Sequence, residues 1–394
     1  MKIALFSDAY PPVMDGVALA VRNNALWLNK IAGSVKVITP YHPKQGPDED
    51  GFLIERFASI PAFKRPPYRI GLPFIDGSFL SMFRRLNFDI VHAHSPFSTG
   101  KLALLKAKQL QIPLAASFHS KFRDDFMQVF KNKYIVNKIV KNIIRFYEQA
   151  DEVWIPQASV EQTIREYGYK GKLEVVSNGV DFTPKDKDVH LKKTAKLDLG
   201  ISCRKPMLLF VGQHIWEKNV KFLLESLAEL KDFDYQAYFV GEGYAKNDME
   251  KLTHTLTINS KISFMGVVRD RSILNKLFLA ADLFLFPSKY DNAPLVLREA
   301  AASQTPGLLL ENSTAAEVIT HNVNGFLSPE DTKAYAVAIK NALSNENYLN
   351  IADNACASLC RSWESIAYEI TDRYRALIAR KSRKYIHSPS PLTN

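Results

Sequence analysis

Three cysteines in 394 residues, Cys203, Cys356 and Cys360, are too few for a disulfide framework. The last two share a helical i, i+4 spacing but lack the further ligands a zinc site needs. A reducing compartment fits such a chain. Nowhere is there a run of about 20 apolar residues, the length a membrane-spanning helix requires. The opening Met1-Lys2-Ile3-Ala4-Leu5-Phe6 turns polar at Ser7-Asp8, too short an apolar stretch for a signal sequence. The expectation is a cytoplasmic chain that does not span a membrane. Sequence repeats and low-complexity tracts are also missing, which excludes solenoids and long disordered arms.

What is present is an ordinary soluble composition, with 46% hydrophobic and 23% charged residues. The length suits two domains of just under 200 residues each better than one core. Net charge is +10 and unevenly placed: before residue 186 about 25 Lys/Arg face about 17 Asp/Glu, roughly +8. The first half is therefore expected to meet an anionic partner.

Short apolar runs alternate with amphipathic stretches along the whole chain. In the first half, strands are predicted at Lys2–Phe6, Val35–Thr39, Ile90–His92, Leu114–Ser117, Glu152–Ile155 and Leu173–Val176. Helices are predicted at about Val17–Lys30, Lys101–Gln109, Asp125–Gln149 and Val160–Tyr167. A charged stretch, Pro184 to Lys205, reads as a linker plus an exposed helix, and the pattern then restarts with strands at Met207–Gly212, Tyr235–Val240, Ile262–Phe264, Ala281–Phe286 and Gly307–Leu310. Helices at Val220–Leu230, Asp248–Leu256, Arg271–Ala280 and Thr332–Ser344 separate or follow them. Such alternation means α/β architecture, two tandem doubly wound Rossmann-like domains with the ligand at the carboxyl ends of the strands in an interdomain cleft. The boundaries read as 1–184 for the first domain and 185–362 for the second, with 363–394 following the second sheet. Trp363 precedes a helical stripe of Ile366, Ile370, Tyr374, Leu377 and Ile378, a helix that arrives after that sheet is complete and needs a surface to cover; the tail beyond Arg380 should be frayed.

One stretch organises the second half. A strand ending at Phe286 crosses a polar loop and restarts as a helix with Pro294 at its first position, where the missing N–H costs no hydrogen bond. The amides of Leu295 and Val296 and the positive helix end then face the loop, a setting that attracts anions. Asp291 stands in that loop and Glu299, eight residues on, about one and a half turns into the helix. Two carboxylates there suit the hydroxyls of a polyol whose phosphates lie nearby.

Other candidates sit where strands end. Gly16 opens the first helix, where its backbone can approach a phosphate closely, although the loop is not G-x-G-x-x-G. His119 directly follows a strand. Gly212 ends a strand in the second half, and Lys218 lies at the start of the helix after it, unfavourable for the helix dipole unless the lysine faces an anion. Gly241-Glu242-Gly243 reads as a tight turn.

Together these stretches resemble the retaining nucleotide-sugar glycosyltransferases of family 4, with the GT-B fold, in which the final helix crosses back to the first domain; the resemblance thus assigns 363–394 to the first domain and implies that residues from about Trp363 pack on it and tie the two domains across the cleft. The resemblance runs through SDAYPPVMDGVA, HAHSPFSTG, SFHSKF, VSNGVD, FVGQHIWEKN, VGEG, FMGVV, ADLFLFPSKYDNAPLVLREAAA and NGFLSP. The first-half motifs look most like the branch that glucosylates diacylglycerol. The resemblance implies that Gly16 approaches the donor diphosphate, that His119 lies beside the transferred sugar, and that Lys218 neutralises the diphosphate. It also places Asp291 at the first position of the family's E-x7-E, near the sugar, and Glu299 at the second, on the nucleotide ribose, with the Leu295 and Val296 amides facing diphosphate or sugar. Two departures stand out: Gln213 follows Gly212 where the family usually has Arg, leaving Lys218 to act alone or with His214, and the first acid is Asp, one methylene short. Ser313-Thr314 replaces the usual Gly-Gly before Glu317.

Retention in this family is thought to use the departing diphosphate as the base, so the expected cofactor is none beyond the nucleotide sugar substrate, and no metal is required. Asp124-Asp125 and Asp48-Glu49-Asp50 read as a helix start and a polar loop, not as a D-x-D metal site. For the acceptor, cationic and aromatic residues mix from Ala62 to Arg85, and Lys131, Lys138 and Arg145 recur seven apart on one helical face of Asp125–Gln149. Such surfaces suit an anionic membrane, so a peripheral position on its inner face and a lipid or glycan acceptor are expected. No stacking or groove-reading motif accompanies the charge, and nucleic acid is not an expected partner. Transfer to a cell-surface polysaccharide or small-molecule glycoside is the alternative, and a non-catalytic sugar-nucleotide-binding protein the alternative of another class.

Overall fold

The computed structural model describes residues 1–48, 50–63, 65–182, 189–289 and 291–386. It divides into two compact units, one of Met1–Asn178 with the chain from Trp363 onward, the other Gly179–Ser362. The expected boundary between residues 184 and 185 lies outside the described residues. Val180 already belongs to the second unit, where its amide donates to the Arg361 carbonyl at 2.8 Å.

The first unit is built on a seven-stranded parallel sheet. Its strands are β1 (Lys2–Phe6), β2 (Ser34–Pro40), β3 (Leu53–Phe57), β6 (Ile90–Ala93), β7 (Leu114–Ser117), β8 (Glu152–Ile155) and β9 (Leu173–Val175), while β4 (Ser59–Pro61) and β5 (Arg69–Gly71) form a separate antiparallel hairpin. The sheet order is β3-β2-β1-β6-β7-β8-β9, so the direction of winding reverses between β1 and β6. Both faces are covered, which is why β6 and β7 are buried along their whole length instead of alternating. Helix Trp363–Ile386 packs beside helix Gly16–Ile31 in this unit. Its Trp363, Ile366, Ile370, Tyr374 and Leu377 are buried, and Tyr374 stacks on Trp154 of β8 with ring centroids 5.7 Å apart.

The second unit carries a six-stranded parallel sheet of β10 (Met207–Val211), β11 (Gln236–Val240), β12 (Ile262–Gly266), β13 (Leu283–Phe286), β14 (Gly307–Leu310) and β15 (Phe326–Ser328). The order β12-β11-β10-β13-β14-β15 reverses between β10 and β13. Apolar side chains from the two sheet faces form two separate clusters, one around Phe278, Phe284 and Leu297, the other around Phe210, Phe239 and Tyr335.

Several elements differ from the sequence reading. The single helix predicted over Asp125–Gln149 is two, Phe122–Phe130 and Lys133–Tyr147. Lys131 takes a left-handed conformation (φ 49°) that ends the first, and the Asn132 side chain caps the second by accepting from the Tyr134 and Ile135 amides. Lys131 therefore does not share a helical face with Lys138 and Arg145. Helix Val189–Asp198 is not wholly exposed, because Ala195 and Lys196 are buried and Lys196 Nζ reaches Asp282 at 2.6 Å. The last helix continues past Arg380 to Ile386, and Lys381 Nζ contacts both oxygens of Asp151 at 2.8 and 3.0 Å. Residues 387–394 lie outside the described residues.

Candidate functional site

The reversal of strand order in the second unit puts the carboxyl ends of β10 and β13 side by side, the place where α/β sheets leave a crevice. After β10 the chain runs through Gly212, Gln213 and His214 into a 3-10 turn, Trp216–Lys218, then Asn219 with φ 59° and helix Val220–Ala228. After β13 it runs through the loop holding Asp291 into helix Leu295–Ala302, with Pro294 in the capping position, so that the helix starts one residue later than predicted. Lys218 and Asp291, 73 residues apart, meet here as an ion pair with both side chains largely buried. The other oxygen of Asp291, Oδ2, is buried without a hydrogen-bond partner among the described residues.

The β10 loop is held by its neighbour. His214 N donates to Glu242 O at 2.9 Å and Ala245 N to His214 O at 3.0 Å. A Cβ at Gly241, whose φ is 137°, would run into the Gly212 carbonyl, and one at Gly243 into the His214 carbonyl. The glycines of the Gly241-Glu242-Gly243 turn thus serve close backbone packing between two loops, a reason that turn chemistry alone does not disclose. His214 does not join Lys218 as a second cation. Its ring is fully buried among Phe210, Phe239 and Phe264, both ring nitrogens lack partners among the described residues, and burial pushes its pKa down to about 4. Gln213 is half-buried beside it.

On helix Leu295–Ala302 the first-turn amides of Leu295 and Val296 have no acceptor within the helix. Glu299 lies one turn further in and is buried. Burial raises its carboxyl above the ordinary range, and the guanidinium of Arg271, 2.5 Å from Oε1, pulls it back down. Arg271 also grips Asp181, Nε to Oδ2 at 3.1 Å and Nη2 to Oδ1 at 2.6 Å. Neither Arg271 nor Asp181 was among the sequence candidates. A signal existed: Arg271 opens a helix behind the Asp270 cap, an unfavourable place for a cation unless it faces anions, the same consideration that singles out Lys218.

In the first unit the order reverses between β1 and β6, and His94, directly after β6, donates its amide to the Phe6 carbonyl at the end of β1 at 2.8 Å. Gly16 is the first residue of its helix, behind the Asp15 cap that accepts from Ala18 N at 2.7 Å. Among the described residues nothing lies within 4 Å of the position a Cβ would take at Gly16, so their packing does not demand a glycine there. His119 follows β7, and its Nε2 is 3.1 Å from His94 Nδ1 with the two rings stacked at 5.3 Å. Behind them His92 is held between the Tyr374 hydroxyl at 2.6 Å and the Ser117 hydroxyl at 2.8 Å. Burial lowers all three imidazoles, His119 to about 4 and His92 to about 3, so they are neutral near pH 7.

Family models match both parts of the chain: "Glycosyltransferase Family 4" over residues 14–183 and "Glycosyl transferases group 1" over residues 192–357. The sequence is 28% identical over 334 residues to an alpha-monoglucosyldiacylglycerol synthase of Streptococcus pneumoniae, covering 83% of this chain and 75% of the relative. It is 24% identical over 407 residues to the enzyme of the same name from Acholeplasma laidlawii, covering 97% and 100%. Among solved structures, the sucrose-phosphate synthase of Thermosynechococcus elongatus superposes with a TM-score of 0.79 at 20% identity, over 96% of this chain and 99% of that one. Such solved neighbours are GT-B glycosyltransferases, and the two doubly wound units have that fold.

Proposed function

Because the chain belongs to glycosyltransferase family 4, we propose that it is a retaining transferase moving a hexosyl group, with UDP-glucose the favoured donor, onto a membrane-associated lipid or glycolipid. The observation that carries the donor half is the meeting of Lys218 and Asp291 at the strand-order reversal, beside the first-turn amides of Leu295 and Val296 and one helix turn from Glu299. That arrangement offers one cation and two amides to a diphosphate, one carboxylate to sugar hydroxyls and another to a ribose. As the glycosidic bond breaks, negative charge grows on the departing diphosphate, and Lys218 with the helix amides stabilises it without reorganising. The diphosphate competes with Asp291 for the ammonium, which turns Asp291 towards the sugar. A phosphate oxygen takes the proton of the incoming hydroxyl on the face the leaving group vacates, which gives retention. His119, being neutral, serves the transferred sugar as a hydrogen-bonding partner and not as a charge.

The acceptor half draws support from the relatives named as diacylglycerol glucosides' synthases and from the surface of the first unit. Ile60, Phe63, Ile70, Phe74 and Ile75 are exposed around the hairpin of β4 and β5, as are Phe130, Tyr134 and Ile135 beside the exposed Lys131, Lys133, Lys138 and Lys141. Arg65 joins the two stretches through an ion pair to Asp125 and a 2.9 Å hydrogen bond to Gln128. Apolar side chains ringed by cations suit the headgroup region of an anionic bilayer, at about 1 kcal/mol per cation. No helix among the described residues is long and apolar enough to cross a membrane.

A thermal-shift screen of UDP-, GDP- and ADP-sugars tests the donor site. Glu299→Gln is expected to weaken donor binding by about 10- to 100-fold, the effect of losing a charge-assisted hydrogen bond, while Asp291→Ala chiefly slows transfer. Wild-type donor affinity and turnover in both variants would remove the donor from this part of the second unit. A non-catalytic sugar-nucleotide-binding protein, which Gln213 and Asp291 favour and His119, Lys218 and Glu299 oppose, would bind the donor and neither hydrolyse nor transfer it.

A further inference from the structure

The buried Glu299 poses a question that its place on a helix does not answer. Its carboxylate is almost wholly removed from water, yet among the described residues only Oε1 has a hydrogen-bond partner, Arg271 Nη2. A carboxylate buried for packing alone would cost more than an apolar side chain of the same size. Arg271 is itself heavily anchored. Its Nε and Nη2 hold both oxygens of Asp181, the second hydrogen of Nη2 goes to Glu299, and its guanidinium lies 4.6 Å from the centre of the Phe182 ring. One cation therefore serves two carboxylates, and the cluster keeps a net negative charge. Such a cluster repels phosphate and favours a hydroxyl donor.

We propose that Arg271 is a positioning residue of the donor site: fixed by Asp181 and Phe182, it orients Glu299 so that the second carboxylate oxygen receives a hydroxyl of the donor ribose. The proposal rests on the donor reading above and adds to it two residues, Arg271 and Asp181, that touch no ligand themselves. Burial drives the Glu299 carboxyl towards its neutral form, and the guanidinium opposes that drive, so the same contact that aims the group also keeps it an acceptor. Asp181 lies in the Asn178-Gly179-Val180-Asp181 stretch at the start of the second unit, which ties the geometry of the ribose contact to the segment where the chain enters that unit.

The test is calorimetric binding of UDP, GDP and ADP, of their 2′-deoxy counterparts and of inorganic pyrophosphate to the full chain. Wild type should prefer the ribose form of its best nucleoside diphosphate by about tenfold or more, Arg271→Gln should reduce that ratio to about threefold or less, and pyrophosphate affinity should stay within about twofold. Arg271→Lys, which keeps the charge but not the fork, should restore part of the ratio. In a Glu299→Gln background, Arg271→Gln should change the ratio no further. An undiminished ratio in Arg271→Gln, or an equal loss for ribose, deoxyribose and pyrophosphate ligands, would overturn the proposal while leaving the donor reading intact. Should Arg271→Gln fail to fold, Asp181→Asn, at a partly exposed position, must lower the ratio in the same direction, and an unchanged ratio there overturns it too. Wild type binding none of the three diphosphates would bring down the donor reading and this proposal together.

Discussion

Lys218→Ala should reduce turnover by about 100-fold or more, the scale of losing one preorganised partner for transition-state charge. The effect should fall on kcat more than on donor affinity, because a further negative charge develops on the diphosphate as the bond breaks. The sequence departs from its family's pattern at Gln213, and the buried, uncharged His214 supplies no substitute, so Lys218 has no second cation beside it on the β10 loop. Its removal also leaves Asp291 without its ion-pair partner, with Oδ2 already buried and unsatisfied. Turnover should be insensitive to EDTA. Strong inhibition by EDTA, reversed by magnesium or manganese, would assign the charge stabilisation to a metal ion instead.

Truncation before Trp363 should unfold or severely loosen the first unit. Five buried side chains, Trp363, Ile366, Ile370, Tyr374 and Leu377, would be lost from it, worth on the order of 5–10 kcal/mol at about 1.5–3 each after discounting for a compact unfolded chain. That matches the whole stability of a typical domain. Polar losses add to it: His92 Nδ1 would lose the Tyr374 hydroxyl inside the core, and Glu174 would lose Arg373, 3.2 Å away. Amide exchange in β1, β6 and β8 reports the result, and unchanged protection there would show that the first unit's core stands without the helix. A cut after Arg380 removes the Lys381 contact to Asp151 and should cost no more than about 1 kcal/mol, as for other partly exposed pairs.

The strands were legible where burial on both faces produces uninterrupted apolar runs. Leu114–Ser117, Glu152–Ile155 and Gly307–Leu310 could be bounded to the residue, and others to within two. Strand β3, Leu-Ile-Glu-Arg-Phe at the sheet edge, was hidden because only Phe57 is fully buried and its charges interrupt the pattern. Helix Gly77–Arg85 was masked by the cationic, aromatic run around it; two phenylalanines anchor it, and the buried Lys106 donates to the Phe83 and Leu86 carbonyls at its end, 23 and 20 residues away in sequence. The break at Lys131 has no Gly or Pro to announce it, only an Asn whose capping role depends on the backbone it caps. Site residues followed the same division. Lys218, Asp291 and Glu299 lie at a strand end or a helix start and could be named from local rules, whereas the link of Arg271 to Asp181, 90 residues away, exists only once the chain has folded.

Transfer of label to lipid, with the anomeric configuration of the product, tests the central claim most directly. The full chain is incubated with radiolabelled UDP-glucose and vesicles carrying diacylglycerol or its monoglucoside, in anionic and in zwitterionic lipid, and the glycolipid formed is analysed by proton NMR. A retaining lipid glucosyltransferase should yield an α-linked product from the α-linked donor, formed faster on the anionic vesicles. Absence of lipid-linked label from UDP-, GDP- and ADP-sugars alike, or a β-linked product, would contradict it.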